Sequence, residues 1–221
     1  KKVLTETDGA PLLRSWKIPV AESFLAHTPE EAAKWASECG YPVVLKVASE
    51  QILHKTDVGG VFLNLNSAED VLNAFKRITE NVSRAMPEAL INGILVEKQI
   101  PGGEEIILGI KRDPSFGPVV MCGMGGIFAE IYRDVSFRIA PFGEEEAEAM
   151  LKELKAYPLF TGARGRTKRD IPSLVKTLVS LSQLAFAHSR IAELDINPLI
   201  VLDEGKGCMA ADVKILLSNN S

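Results

Sequence analysis

A histidine, a lysine, an aspartate and two adjacent glycines fall together in His54-Lys55-Thr56-Asp57-Val58-Gly59-Gly60. Imidazole is the side chain best suited to carry a phosphoryl group or a proton near neutral pH. Gly59-Gly60 lets the backbone take φ > 0 or approach a ligand closely. The alternative is a polar hairpin loop whose His54 is merely solvated. Just before it, Lys46 interrupts the apolar run Pro42-Val43-Val44-Leu45-Lys46-Val47. A lysine there is costly to bury without an anion, so it either faces solvent or holds a phosphate. Far along the chain, Asn197 and Asp212 lie on two late apolar runs. If these pair as a hairpin, a carboxylate and a carboxamide oxygen can point the same way, a reasonable protein share of a Mg²⁺ sphere completed by substrate phosphates. The plainer reading is a turn-forming Asn-Pro and a solvated Asp.

Four further groups could serve such a site. The run through Glu97, Lys98, Gln99 and Ile100 passes from apolar to polar and into Pro101-Gly102-Gly103. Its backbone can offer N–H and C=O groups to a flat heterocycle, or it can be an edge strand with solvated charges. Glu105 opens the next strand and could reach a sugar hydroxyl. Gly123, Gly125 and Gly126 follow a strand and can form an amide nest for phosphates. They match neither the dinucleotide fingerprint nor a P-loop, which needs Gly-Lys-Ser/Thr. Arg138, among Val135, Phe137 and Ile139, could clamp a phosphate. His27 and His188 have no comparable context.

These residues need elements to hold them. A first helix is expected over 4–16, then a short strand over 22–25. Thr28-Pro29-Glu30-Glu31 starts a helix that Gly40 stops. Strands follow over 42–47 and from Val61, the second with Val61, Leu63 and Leu65 on one face. Ser67-Ala68-Glu69-Asp70 caps a helix carrying Val71, Leu72, Phe75 and Ile78 to about residue 86. Strands at 91–100, 104–111 and 118–122, joined by short turns, suggest an antiparallel meander. An acidic-start helix covers 144–154 and a Gly- and Arg-rich loop 159–169. A helix over 172–188 turns Leu174, Leu178, Leu181, Leu184 and Ala185 inward. Two late strands, 192–201 and 209–215, are joined by 203–207, and 217–221 reads as a frayed tail.

Composition narrows the class. The chain has 221 residues, 46% hydrophobic and 24% charged, and a net charge of -4, ordinary for a globular domain with a real core. No basic stripe with interleaved aromatics suggests nucleic acid. The only local basic cluster is Arg164, Arg166, Lys168 and Arg169. The three cysteines, Cys39, Cys122 and Cys208, are scattered and odd in number, which argues against a disulfide framework or zinc site and for a reducing cytoplasm. No run is long enough to span a bilayer and no signal peptide is seen.

Taken together, the motifs resemble those of the ATP-grasp fold, and more closely the β subunit of ADP-forming acyl-CoA synthetases (acetate–CoA ligase, ADP-forming). The likeness rests on Trp-Lys-Ile-Pro-Val at 16–20, Pro-Val-Val-Leu-Lys-Val at 42–47 and the His54 loop. It extends through Val-Glu-Lys-Gln-Ile-Pro-Gly-Gly-Glu-Glu at 96–105, Gly-Met-Gly-Gly-Ile-Phe-Ala-Glu at 123–130 and Glu-Leu-Asp-Ile-Asn-Pro-Leu at 193–199. The resemblance implies an α+β chain of two subdomains with the nucleotide in the cleft between them. The small lid would cover about 20–93, and the larger subdomain about 94–221 plus the N-terminal helix.

It also implies roles. Lys46 and the Gly123–Gly126 loop would contact phosphates, residues 97–100, with Glu97, Lys98 and Ile100, would form the adenine hinge, and Glu105 would lie near the ribose. Asn197 and Asp212 would hold Mg²⁺. Asp195 would orient a phosphohistidine loop from a CoA-binding α subunit or fused domain, and His54 would carry the phosphoryl group to ADP. The implied reaction is acyl-CoA + ADP + phosphate giving carboxylic acid + CoA + ATP, by a cytoplasmic hetero-oligomer using ATP/ADP and Mg²⁺, with CoA bound by the partner. Arg138 would add positive charge. A competing reading is a regulatory nucleotide-binding domain of a protein acyltransferase with a synthetase-like region. A third, an ATP-grasp carboxylate ligase releasing an acyl phosphate, has no need of the His54 loop.

Overall fold

The computed structural model describes residues 2–52, 54–125 and 134–218. The chain divides into two compact units, Ala21–Gln99 and a larger one of Lys1–Val20 with Ile100–Ser221.

The smaller unit is built on four antiparallel strands: β2 (Ser23–Ala26), β3 (Val43–Ala48), β4 (Val61–Leu65) and β5 (Gly93–Lys98), in the order β2-β5-β3-β4. Two helices cover one face. In α2 (Pro29–Cys39) the Thr28 hydroxyl accepts from the Glu31 N–H while the Glu31 carboxylate accepts from the Thr28 N–H, closing a capping box. Gly40, at φ +83, ends it. Ser67 caps α3 (Ala68–Ala85), which buries Val71, Ala74, Phe75, Ile78 and Val82 at helical spacing. These meet Val43, Leu45 and Val47 of β3 and Ile94 and Val96 of β5. Each such fully buried aliphatic side chain stabilises the unit by about 1.5–3 kcal/mol before entropy is counted.

Two expectations differ here. Leu63 is 58% exposed, because Asn64 takes φ +57 and β4 slips against β3, pairing Leu65 with Val43 but Phe62 with Leu45. The strand expected at 91–100, mostly allotted to the larger subdomain, is β5, which lies between β2 and β3. Pro101-Gly102-Gly103 is therefore not a hairpin turn: the strands on either side of it belong to different sheets.

Among the described residues the larger unit has seven strands. In order across the sheet they are β1 (Lys2–Leu4), β11 (Val213–Leu217), β9 (Ile191–Val201), β6 (Glu104–Asp113), β7 (Gly117–Met124) and β8 (Val135–Ile139), with β10 (Cys208–Ala210) also beside β9. Of the expected meander only the antiparallel β6–β7 pair is present: β5 lies in the other sheet, and the third strand is instead β8, which no expectation covered. The helix expected over 4–16 starts later: residues 2–4 are a strand on β11, and the helix α1 is Glu6–Ser15. The late strand expected at 209–215 is broken at Ala211-Asp212 into β10 and β11.

Alternation along the strands separates two faces. Ile106, Leu108 and Ile110 of β6, Val120 and Cys122 of β7, and Leu194 and Ile196 of β9 are buried in one core. Facing them are Met150 and Leu151 of α4 (Glu144–Glu153) and Leu174, Leu178, Leu181 and Leu184 of α5 (Ile171–Ala187). Glu193, Asp195 and Asn197 occupy the alternate positions of β9 and are exposed.

Candidate functional site

Register, not sequence proximity, assembles the polar face of the larger sheet. Asp195 lies opposite Lys214 on β11 and opposite Gly109 on β6. Where β10 and β11 part, the ladder is carried across the gap: the Asn197 N–H donates to the Asp212 carbonyl at 3.1 Å and the Ala211 N–H to the Pro198 carbonyl at 2.9 Å. Asn197 and Asp212 thus face each other across two strands, and opposite residues of an antiparallel pair project from the same face. Their side-chain oxygens are of the hard, neutral-plus-anionic kind that suits Mg²⁺, which takes one or two carboxylates and fills its sphere with water and phosphate oxygens. Among the described residues no group of three or more His, Cys, Asp and Glu could hold a metal; Asn197 and Asp212 offer two oxygen donors, a share that a Mg²⁺ ion completes with water and phosphate.

Crowding by the sheet and the like charge of Asp212 push the Asp195 carboxyl above its ordinary pKa, and Lys214 opposes them.

The glycines resolve differently. Gly123 is inside β7, and a Cβ there would meet the Val135 side chain at 2.7 Å, so it makes room for β8. Gly125 donates its N–H to the Glu105 carbonyl at 2.7 Å, and a Cβ on it would lie 2.9 Å from Glu105 Cβ. Glu105 is therefore fixed at the start of β6 with its own side chain exposed. Gly126 lies outside the described residues.

Arg138 is a correction. Its apolar neighbours Val135, Phe137 and Ile139 point outward, and Arg138 points the other way, toward α4. There its guanidinium is held by Glu153 and by Glu146 at 2.9 Å. Hydrogen bonds from Arg138 and then Ser136 hold the Glu153 carboxyl down at about 2, and the same carboxylates raise the Arg138 pKa. With its donors engaged on the face opposite Asn197, Arg138 is a brace between β8 and α4 and not a phosphate clamp.

In the smaller unit the anion partner that Lys46 requires is Glu97. The Lys46 Nζ donates to Glu97 Oε2 at 2.6 Å, with Lys46 8% and Glu97 3% exposed. Glu97 lies opposite Val44, two residues from Lys46, so the pair runs diagonally across β3 and β5 on the face away from the helices. Glu97 is consequently not a solvated edge charge. The sequence marked both residues but not that they meet; the signal was their shared parity in two strands that both carry charge among apolar neighbours. Lys98 turns its ammonium onto the Gly40 and Tyr41 carbonyls, 2.8 Å each, and the Gln99 N–H donates to the Pro42 carbonyl at 3.1 Å. The segment is thus pinned up to Gln99, and the chain returns to the larger unit at Ile100.

His54 is exposed on a loop made of nested turns: Asp57 N–H to the His54 carbonyl, Gly59 N–H to Thr56, and Gly60 N–H to Lys55 at 2.8 Å. Gly59 takes φ +64 and its carbonyl accepts from Asn81 of α3 at 3.1 Å. A Cβ at Gly60 would fall 2.6 Å from Val47 Cγ1 and 2.9 Å from the Lys55 carbonyl. The two glycines therefore let the loop fold back on β3 and α3, leaving the imidazole accessible as a nucleophile.

Comparison with known proteins identifies the family. The ATP-grasp domain family matches residues 1–217. The chain is 42% identical over 214 residues to the β subunit of acetate–CoA ligase (ADP-forming) I of Pyrococcus furiosus, covering 97% of this chain and 91% of that subunit. It is 43% identical over 212 residues to 4-hydroxybutyrate–CoA ligase (ADP-forming) of Nitrosopumilus maritimus, covering 96% of this chain but only 30% of that protein. The dinucleotide-forming acetyl-coenzyme A synthetase 1 of Ca. Korarchaeum cryptofilum, solved with coenzyme A and Ca-AMPCP, superposes with a TM-score of 0.95 at 46% identity, over 99% of this chain and 94% of that one. Another structure of the same protein holds Mg-AMPPCP, with a phosphohistidine segment pointing toward the nucleotide-binding site (TM-score 0.86, 42% identity, covering 99% of this chain and 94% of that one).

Proposed function

On the premise that this chain belongs to the ATP-grasp domain family, we propose that it is the nucleotide-binding part of an ADP-forming acyl-CoA synthetase. The reaction is acyl-CoA + ADP + phosphate ⇌ carboxylic acid + CoA + ATP. The observation that carries this reading is the match along nine-tenths of a dedicated β subunit, which includes the His54 loop that a simple carboxylate ligase does not need. The chain spans three-tenths of its single-chain relative, so the CoA-binding part is a separate subunit or the remainder of a longer polypeptide.

The chain's residues divide the work. His54 takes a phosphoryl group from the phosphohistidine of the CoA-binding part: the N–P bond there breaks as one forms on the His54 imidazole. His54 then yields the group to the terminal phosphate oxygen of ADP, and is freed as ATP leaves. Such transfers need positioning and charge neutralisation more than covalent elaboration. Lys46, fixed by Glu97 in advance, supplies a positive charge toward phosphate oxygens, and the backbone after Glu97 a rim for the adenine, with Lys98 as its anchor. Glu105 is placed for the ribose, and Gly125 sets its backbone. Asn197 and Asp212 would hold Mg²⁺, which when bound neutralises phosphate charge. Asp195 receives the incoming phosphohistidine loop and orients its imidazole.

The test uses γ-labelled ATP and Mg²⁺ with the wild-type chain and His54→Ala, with the CoA-binding part present. Acid-labile, alkali-stable protein phosphate on the wild type, absent from the variant, is expected. Nucleotide binding by thermal shift without label on His54 would overturn the relay and leave a nucleotide-sensing domain.

A further inference from the structure

The outermost strand of the larger sheet is amphipathic in the wrong sense for an edge facing water. Its polar residues, Ser136 and Arg138, turn inward and bond to Glu153 and Glu146 of α4. Its apolar residues, Val135, Phe137 and Ile139, turn outward and are 40%, 54% and 54% exposed. Strand patterning ordinarily places the apolar side where it will be covered. Here the covered side is satisfied by ion pairs, and the apolar side lies on the open face.

That stripe is continuous with the site. Ile139 lies opposite Val119 and Phe137 opposite Met121. Met121 in turn lies opposite Gly109, and Gly109 opposite Asp195. A Cβ on Gly109 would meet Met121 Cε at 3.4 Å, so the methionine methyl spreads over the glycine toward Asp195. One row across four strands therefore runs from Phe137 to Asp195, about 14 Å at the usual strand spacing. β8 has no pairing partner on its outer side among the described residues.

Resting on the synthetase reading, we propose that the face formed by Val135, Phe137, Ile139, Met121 and Val119 is the docking surface for the CoA-binding part of the enzyme. Two observations choose this occupant. The single-chain relative contains more than twice as much polypeptide again as this domain, so a large body must rest against it. The part that brings a phosphohistidine loop to Asp195 must also approach across this face, and an apolar stripe in the same row gives it a footing within the reach of a loop. Exposed contiguous apolar surface of this kind marks an interface, and its aromatic centre, Phe137, is the sort of residue that anchors one.

The test is made in the enzyme with its CoA-binding part, fused or separate. Phe137→Glu and Ile139→Lys are expected to lower acyl-CoA-driven ATP synthesis at least tenfold, with the rise in melting temperature given by Mg-ATP unchanged. Phe137→Ser, a gentler change, should give an intermediate loss. Phe186→Glu, at a 62% exposed site on α5, serves as control and should match wild type. Where the CoA-binding part is a separate subunit, raising its concentration should restore turnover. Wild-type turnover in Phe137→Glu overturns the docking surface while leaving the synthetase reading intact. A change from dimer to monomer on Phe137→Glu, without loss of turnover, would assign the stripe to a second copy and also overturn it. Absence of acyl-CoA-driven ATP synthesis in the wild-type enzyme would remove the reading on which the proposal stands.

Discussion

In the smaller unit, Lys46 and Glu97 are buried within a four-stranded sheet and hold each other at 2.6 Å. In the larger unit, Glu193, Asp195 and Asn197 stand exposed along a single strand, aligned by register with Asp212 and Lys214 on the next. The first arrangement must be complete before any ligand arrives, because an unpaired buried charge is costly. It fixes the lysine in advance. The second is aligned by backbone pairing, and its groups respond to one another: Asp212 raises the Asp195 pKa and Lys214 lowers it. One region supplies a rigid charge and the other an adjustable one.

Substitutions should separate the two. Glu97→Ala removes the carboxylate that holds Lys46 and is expected to cost about 3 kcal/mol of stability, read as a shift of the urea midpoint; Asp195→Ala should leave that midpoint within about 0.5 kcal/mol yet abolish turnover. Equal midpoint shifts for the two would erase the distinction. Gly60→Ala should cost about 1–3 kcal/mol through overpacking against Val47 and displace His54, so label on His54 should fall along with the melting temperature. On the open side, Asp212→Asn should leave melting unchanged and raise the Mg²⁺ needed for half-maximal activity about tenfold, equivalent to about 1.4 kcal/mol; an unaltered Mg²⁺ dependence would remove Asp212 from the metal site.

The smallest effect is expected from Lys214→Met. Because Lys214 lowers the Asp195 pKa, its loss should move the acid limb of the pH–rate profile to higher pH. The sign for stability follows from the same shift. An acid whose folded pKa is raised stabilises the fold below that pKa and loses the contribution as pH rises through it, so the variant should tolerate mild acid slightly better. An acid limb moving downward would contradict the assignment.

What the sequence reveals follows from the range of the forces involved. The start of α2 is plain in Thr28-Pro29-Glu30-Glu31 because a capping box is local, and α5 in its leucine spacing. The Lys46–Glu97 pair spans 51 positions, and no local pattern states which strands will be neighbours. β1 is only three residues and is held by β11 at the far end of the chain. Leu63 defeats alternation because one left-handed residue, Asn64, resets the register. Arg138 shows that apolar neighbours identify a strand but not which of its faces is covered. The Asn197–Asp212 placement followed from the sequence only if the two late apolar runs pair, which they do around the break at Ala211; Asn-Pro pointed instead to a turn, yet lies inside β9.

The pairing of β1 with β11 also imposes an order of assembly. The smaller unit is contiguous, from Ala21 to Gln99, and has every strand it needs once its last residue has left the ribosome. The larger sheet cannot be closed until Val213–Leu217, its second strand, has been made, and its first has waited from Lys2–Leu4. Its central pairing, β6 with β9, joins Ile110 to Leu194, and long-range pairings of this kind form slowly. During translation the His54 loop is therefore expected to be folded while Asp195, Asn197 and Asp212 are still unmade, so the polar face of the larger sheet is completed only once Val213–Leu217 is in place.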